Sequence, residues 1–388
     1  MKKKIAYVIN HSAFFYSHIL DIALNARKNK YKIKLFCGKA SSKKMDNYAY
    51  SKIKDQKILI SMHQYESSSI NIFNEFKGLI QIFKSIKKFE PDIIHCASPK
   101  GILIGGLVAR FLKINSIVIF NSGMGFLFSK NSNGLFNIIK WIYIFILKKV
   151  VMKHKNKKII VENKHDYFFL KKNYKLKDSE MKLIKGSGVD LKKFKFKKNN
   201  NSKNVLLPAR VIKEKGIEEF ILAALSLKKK YPEWNFIVAG TLDYKKQSSL
   251  NIDKINKLNK GNVVKFLGYI KNMKKIYNNS AIVCLPSYRE GFSKTLQEAA
   301  AIGLPIVTSN VVGCKDSIIA NVTGLLCKAQ NSKSLEKKLS ILISNKKKRK
   351  SFGIKGRILA EKEFSLKNVI ETNVSVYDGL IKNSYDYV

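Results

Sequence analysis

The chain has 388 residues, 45% of them hydrophobic, and 74 lysines and arginines outweigh 27 aspartates and glutamates to give a net charge of +47. The length suggests two domains rather than one, with apolar content enough for substantial cores. No stretch reaches the ~18 uncharged apolar residues of a membrane span, and neither the six histidines nor the scattered cysteines show zinc-site spacing, so neither a transmembrane helix nor a structural zinc site is expected. So positive a field favours anionic partners: phospholipid headgroups, pyrophosphate lipids, nucleotides or nucleic acid. Abundant Asn and Ile point to AT-rich coding sequence as one source of lysines, but not of so few acids.

Met1-Lys2-Lys3-Lys4-Ile5 resembles the start of a signal peptide, yet the apolar run breaks at Asn10-His11 and no small-residue cleavage site follows. A first strand over 5–9 is expected instead. A helix over about 17–28 and a strand over 32–37 come next. A long amphipathic helix over 71–89 ends at Glu90-Pro91. Then come a strand at 92–96, a helix at 101–112, and strands at 116–120, 157–161 and 182–184. Such β-α-β alternation with short turns implies a parallel sheet covered by helices on both faces. A polar break at 192–203 reads as a linker, after which the pattern restarts with strands at 204–207, 235–239, 263–267, 281–285 and 305–308. Helices fall at 214–230 and 293–302, and three more close the chain at 334–344, 347–364 and 366–381. The expected architecture is α/β: two Rossmann-like, doubly wound domains, 1–190 and 204–365, joined by a linker at 191–203. A C-terminal helix over 366–388 would pack back on the first domain. Two such domains suggest a site in the cleft between them, at the carboxyl ends of their strands. Four of Cys37, Cys96, Cys284, Cys314 and Cys327 lie in or beside apolar runs and read as buried core thiols.

One segment departs from the pattern. Residues 135–152, LFNIIKWIYIFILKKVVM, are apolar almost all round from Ile138 to Leu147, with Trp141, Tyr143 and Phe145, and a lysine-rich stretch follows. A buried inter-sheet helix and an interfacial membrane helix both suit this profile; the basic flank favours the second.

The richest stretch for chemistry is 285–298, Leu-Pro-Ser-Tyr-Arg-Glu-Gly-Phe-Ser-Lys-Thr-Leu-Gln-Glu. A strand ends at Pro286, Glu290-Gly291 occupy the turn, and a helix starts near Ser293. Free amides and the positive dipole end at a helix N-terminus can seat a diphosphate. Glu290 and Glu298, spaced E-x7-E, flank it and could grip sugar hydroxyls. Arg210 and Lys215, after the 204–207 strand, could neutralise a diphosphate, Arg as a fork and Lys as a point charge. Gly186-Ser187-Gly188, Gly240 and Leu267-Gly268 end strands or turns and suit either a nucleotide pocket or ordinary turns. In the loop after the first strand, His11 and His18 face the expected cleft, as substrate contacts or as structural histidines. Asn121-Ser122-Gly123-Met124-Gly125-Phe126 places two glycines around a methionine expected to be exposed, a place for an acceptor.

Taken in order, the following residues resemble family 4 glycosyltransferases of the GT-B fold, retaining enzymes that use nucleotide-diphospho-sugars: G-S-G-V-D at 186–190, Arg210 with Lys215-Gly216, Gly240, Phe266-Leu267-Gly268, the 285–298 stretch, Ala299–Val307, Gly313-Cys314 and Asn321–Leu326. The likeness covers nearly the whole chain. The Asn121–Phe128 stretch and Gly313-Cys314-Lys315-Asp316 look like the branch that builds bacterial O-antigen, capsule or glycoprotein glycans on undecaprenyl diphosphate. The resemblance implies that Arg210 and Lys215 bind the donor diphosphate and stabilise the leaving group. Glu290 would contact the donor sugar and Glu298 the ribose, with the amides of Gly291, Phe292, Ser293, Lys294 and Thr295 on the phosphates and Gly188, Gly240 and Leu267 lining the nucleotide. It implies a UDP-sugar donor, front-face displacement, and neither cofactor nor metal, since basic residues and a helix N-terminus do a cation's work. Where many relatives have a Gly-Gly pair this chain has His11-Ser12-Ala13-Phe14, and where many have His or Glu it has Asn121-Ser122; the acceptor-activating residue stays open, with His11 and His18 as candidate substitutes. An undecaprenyl-diphosphate acceptor implies a cytoplasmic enzyme held peripherally on the anionic inner leaflet. Two alternatives stand beside this reading: a GT-B nucleotide-sugar epimerase, and a basic nucleic-acid-binding protein, for which no helix-turn-helix, zinc finger or RNP signature is present.

Overall fold

The computed structural model describes residues 2–40, 43–66, 72–124, 134–197, 201–241 and 250–385. Contacts divide the chain into two compact units, one of residues 1–184 with 369–388 and one of residues 185–368.

The first unit is built on seven parallel strands: β1 (Lys4–His11), β2 (Lys32–Lys39), β3 (Leu59–Glu66), β4 (Ile93–Ala97), β5 (Ser116–Asn121), β6 (Asn156–Val161) and β7 (Met181–Leu183). Their order in the sheet is β3-β2-β1-β4-β5-β6-β7. The central strands are apolar on both faces, as a sheet covered on both sides requires: Ile5, Tyr7 and Ile9 enter one core, Ala6 and Val8 the other. A turn of α-helix (Ser12–Phe14) and a π-helical turn (Phe15–Ile19) lead into α1 (Leu20–Lys28), so the chain coils five residues earlier than its sequence suggests. α2 (Lys43–Asp55), α3 (Ile72–Phe89), α4 (Pro99–Phe111), α5 (Gly134–Lys149) and α6 (Lys164–Tyr174) complete the crossovers. α3, α4, α5 and α6 bury their inner sides in the core on one face of the sheet.

The second unit carries six parallel strands in the order β10-β9-β8-β11-β12-β13. They are β8 (Asn204–Leu207), β9 (Asn235–Val238), β10 (Val264–Phe266), β11 (Ile282–Leu285), β12 (Ile306–Ser309) and β13 (Gly324–Cys327). Its helices are α7 (Ile217–Lys230), α8 (Ile252–Leu258), α9 (Met273–Asn278), α10 (Lys294–Ile302), α11 (Ser332–Ser344) and α12 (Lys346–Glu363). The last helix, α13 (Leu366–Tyr385), gives Val369, Val376, Tyr377 and Leu380 to the core of the first unit. There the Tyr377 hydroxyl lies 2.7 Å from Nδ1 of buried His95, Asn156 donates to the Leu380 carbonyl at 2.8 Å, and Tyr31 donates to Asp378 at 2.6 Å. Burial pushes His95 down to about 3, so this network is neutral at its centre.

Several expectations need correcting. The division falls between Ile184 and Lys185, so residues 185–190 belong to the second unit, and so does the polar stretch read as a linker. Phe194 is buried in that unit's core and its carbonyl accepts from Arg357 at 2.9 Å, so one aromatic residue and one arginine hold the polar stretch down. Met124, expected to be exposed, is buried against the first unit's core. Phe126 and Phe128 lie outside the described residues. All five cysteines are buried thiols. Among the described residues no helix is long and apolar enough to cross a membrane.

Candidate functional site

In the second unit the sequence-derived candidates gather at the carboxyl ends of β8, β9, β10 and β11, the edge where open α/β sheets bind ligands. β8 and β11 are neighbours, so the turns that leave their carboxyl ends meet. After β8, Arg210 stands half-buried, and a 3-10 turn (Lys213–Lys215) ends at Gly216, which adopts φ +71° and caps α7. A Cβ at Gly216 would lie 2.3 Å from the Pro286 carbonyl oxygen, so only glycine lets this turn press on the end of β11. The contact delivers Lys215 to Glu290: Nζ donates to Oε1 at 2.5 Å, and Ser287 Oγ donates to the same oxygen at 2.7 Å. Behind them Gly313, at φ +78°, faces the Glu290 and Gly291 carbonyls, and a Cβ there would come within 2.3 Å of the first. The loop is also tied at Tyr288, whose hydroxyl donates to Glu219 at 2.8 Å.

Ser293 caps α10, accepting from the Leu296 amide and lying 3.0 Å from the Thr295 hydroxyl. One turn on, Glu298 Oε2 accepts from the hydroxyl of fully buried Tyr277 at 3.1 Å, and that hydroxyl also reaches the Thr295 carbonyl at 3.2 Å. Desolvation raises the Glu298 pKa, opposed by Lys294, the Tyr277 hydrogen bond and Lys193. The arrangement is a carboxylate-bearing turn, a helix N-terminus capped by Ser293, and a second carboxylate on that helix.

Other candidates serve the scaffold. The Phe292 ring packs against Phe364 with centroids 5.5 Å apart, so only its backbone is left for a ligand. Gly188 is buried; in the same turn, a Cβ on Gly186 would strike Gln297, whose Nε2 donates to the Lys185 carbonyl at 2.6 Å. Gly240 packs on the Ala209 carbonyl with no room for a side chain, and the Leu267 amide donates to Val238 at 2.9 Å. These positions shape the strand-end edge through protein contacts.

In the first unit, His11 ends β1, and its Nδ1 accepts from the Phe14 amide at 3.3 Å. Its neutral ring therefore carries the proton on Nε2. His18 stacks on Phe14 at 4.5 Å with its Nδ1 2.6 Å from Ser17 Oγ. Asn121 and Ser122 line a small pocket with Ser98, Gly123, Tyr143 and Leu147, so the inner side of α5 reaches this loop. Three contributors were not singled out from sequence: Tyr277, Ser287 and Gln297. Ser287 sits inside the quoted stretch and was legible there; Tyr277 lies 21 positions before its partner, and nothing local marks it. Among the described residues, no group of three or more His, Cys, Asp or Glu side chains could hold a metal ion.

Two family models match the chain: "Glycosyl transferase 4-like" over residues 4–163 and "Glycosyl transferases group 1" over residues 189–358. Each half of the chain matches a glycosyltransferase model, and the chain is a glycosyltransferase. This transferase is 29% identical over 352 residues to the N,N'-diacetylbacillosaminyl-diphospho-undecaprenol alpha-1,3-N-acetylgalactosaminyltransferase of Campylobacter jejuni, covering 87% of this chain and 90% of that one. It is 26% identical over 266 residues to the UDP-Gal:alpha-D-GlcNAc-diphosphoundecaprenol alpha-1,3-galactosyltransferase of Escherichia coli, covering 63% and 64%. A glycosyltransferase crystal structure from Rickettsia africae superposes with a TM-score of 0.75 at 18% identity, over 98% of this chain and 99% of that one. The fold is GT-B. The epimerase and nucleic-acid-binding alternatives are set aside, since these relatives are transferases.

Proposed function

We propose that this transferase moves an N-acetylhexosamine or hexose from a UDP-sugar to a saccharide carried on undecaprenyl diphosphate, with retention at the anomeric carbon, in bacterial surface-glycan assembly. The observation that carries the proposal is the Lys215–Glu290–Ser287 cluster beside the N-terminus of α10. It is the second unit's built device for holding a diphosphate next to a sugar. The relatives named above support the acceptor class and the donor nucleotide.

In this mechanism the donor diphosphate rests on the amides of residues 291–295, with Arg210 and Lys215 as counter-charges. Glu290 orients the donor sugar, and Glu298 accepts from the ribose hydroxyls. The bond from the anomeric carbon to the β-phosphate oxygen breaks while the acceptor hydroxyl attacks on the same face. The acceptor proton passes to the departing phosphate oxygen, whose charge Arg210 and Lys215 stabilise. No metal is required in this scheme. The acceptor enters by the first unit, where the Asn121–Ser122 pocket and His11 and His18 flank strand ends. A membrane-borne acceptor calls for docking on the anionic inner leaflet. The exposed Trp141 and Phe145 of α5, with Lys148 and Lys149 at its end, support that location.

The test is a nucleotide-sugar panel with purified protein and short-chain lipid-diphosphate saccharides, in EDTA, read by lipid mass and nucleotide release. One donor giving a lipid product one sugar heavier is expected. Nucleotide release with no heavier lipid from any donor would refute the acceptor class, and activity lost in EDTA but restored by a divalent ion would refute the metal-free scheme.

A further inference from the structure

From sequence, one helix, α5, is the candidate membrane contact. The structure splits that helix in two: Tyr143 and Leu147 enter the core, while Ile138, Trp141, Ile142 and Phe145 form an outward stripe at helical spacing, with Trp141 stacked on Phe145 at 5.5 Å. A second stripe, not marked by the sequence pattern, runs along the first half of α3. Phe73 is 85% exposed, Phe76 64% and Ile80 41%, while Ile82, Ile86 and Phe89 of the same helix enter the core that holds Tyr143 and Leu147. α4 touches both helices and is buried along most of its length. α3 and α5 each present a stripe of large apolar side chains to water, whereas α4 and α6 of the same layer expose one each, Phe111 and Phe168. Single exposed apolar residues are ordinary, but two stripes on helices of one layer mark a contact surface.

We infer that α3 and α5 together form a two-helix platform that lies on an anionic lipid bilayer. The inference rests on the membrane reading above and extends it to a second helix. Charge selects the occupant. α5 has no acidic residue and carries Lys140, Lys148 and Lys149. On α3, Lys77, Lys84, Lys87 and Lys88 stand against one acid, Glu75, which Lys100 neutralises at 2.6 Å. A second copy of this chain would bring the same cationic surface against itself. Anionic headgroups are complementary to it, aromatic rings suit the interface, and lysine stems can reach from an apolar face to the phosphates.

Co-sedimentation with vesicles of 70:30 phosphatidylcholine and phosphatidylglycerol tests this on the full chain. Phe73→Ser with Phe76→Ser on α3, and separately Trp141→Ser with Phe145→Ser on α5, are each expected to weaken partitioning about tenfold or more. Unfolding midpoints and transfer to a water-soluble short-chain acceptor should stay at the parent level. Phe73→Leu with Phe76→Leu should retain binding, which separates apolar contact from misfolding. If the α5 pair lowers binding and the α3 pair does not, the platform is refuted and the single-helix reading stands. If neither pair lowers it, both fail. If the α3 pair instead converts a dimer to a monomer in gel filtration, the stripe covers a second copy and the inference is overturned.

Discussion

The two units share one kind of parallel sheet and use its carboxyl edge differently. In the second unit that edge is tightly specified. Gly216 and Gly313 admit no side chain, and Lys215, Ser287 and Glu290 meet within hydrogen-bond distance. In the first unit the corresponding edge carries His11 and His18, both engaged in shaping the first helical turns, and a pocket beside Asn121. That unit spends its distinctive residues on an outer helical layer instead, where Phe73 and Trp141 face water. On the proposed function, a donor diphosphate is one chemical object, and a fixed set of charges and amides would serve it. Acceptors differ in sugar and carrier, and among the described residues the strand ends of the unit proposed for them carry no comparable fixed charge set.

The strongest way to break this comparison is to remove the second unit's cation. Lys215→Ala takes the counter-charge from the diphosphate and leaves Glu290 with Ser287 as its remaining side-chain partner among the contacts described above. Loss of one preorganised charge at a leaving group lowers kcat/KM by roughly 10²–10³-fold. Adding Glu290→Gln should cost much less than its separate effect, because the two side chains act as a unit. Additive losses in steady-state kinetics would mean that the pair is not coupled.

The first unit's outer layer supplies the next largest effect, with two aromatic residues of one helix pulling apart. Tyr143→Ala empties a buried site and should destabilise the fold by about 3 kcal/mol. Trp141→Ala, two residues away on the outer side, should change stability by no more than about 0.5 kcal/mol while weakening vesicle binding. Equal melting shifts for the two variants would mean that α5 has no outward face.

How much of this was legible in the sequence follows the same division. The strand-turn-helix at 285–298 was readable because its pieces are consecutive: the apolar strand, the glutamate in the turn and the capping Ser293 are local signals. Most strands of both sheets were readable for the same reason, since a doubly covered strand has to be apolar throughout; the edge strands β3 and β13 were not expected, and β3 leaves Leu59 and Met62 exposed. The true division at Ile184 was not, because Lys192–Lys203 is polar in composition and is anchored by Phe194 and Arg357, residues 163 apart. Met124 was misjudged because a methionine between glycines looks open when the helix that covers it, α5, lies further along the chain. α3 was legible as an amphipathic helix. Its outward Phe73 and Phe76 were not, because periodicity gives an apolar stripe without saying how much of it the sheet covers.

A smaller effect tests how the second carboxylate is held. Tyr277→Phe removes the hydroxyl 3.1 Å from Glu298 and leaves the ring in place. Glu298 already has a raised pKa through desolvation, and Lys294, Lys193 and Tyr277 oppose that rise. Protonated Glu298 has lost the charge that accepts ribose hydroxyls, so the donor KM should climb as pH falls through its pKa. Without Tyr277 that climb moves to higher pH, and the donor KM at neutral pH rises about tenfold, matching the loss of one charge-assisted hydrogen bond, with kcat nearly unchanged. A pH profile of donor KM identical to the parent's would show that Tyr277 only fills space.

The smallest effect concerns the first unit's own edge. His11 Nδ1 accepts from the Phe14 amide, the role an N-cap side chain plays at a helix start. His11→Ala should therefore lower stability by about 1 kcal/mol, whereas His11→Asn, which keeps an acceptor at that place, should recover most of the loss. Transfer should fall in step with stability and by less than tenfold, since a nitrogen engaged in capping is not free to take the acceptor proton. Nε2, which bears the proton in this tautomer, would have to act as a donor instead. A loss of kcat above a hundredfold in His11→Asn, with an unshifted melt, would reverse the comparison: the first unit would then hold a catalytic group at its strand ends, dedicated to one role in the way Lys215 is in the second.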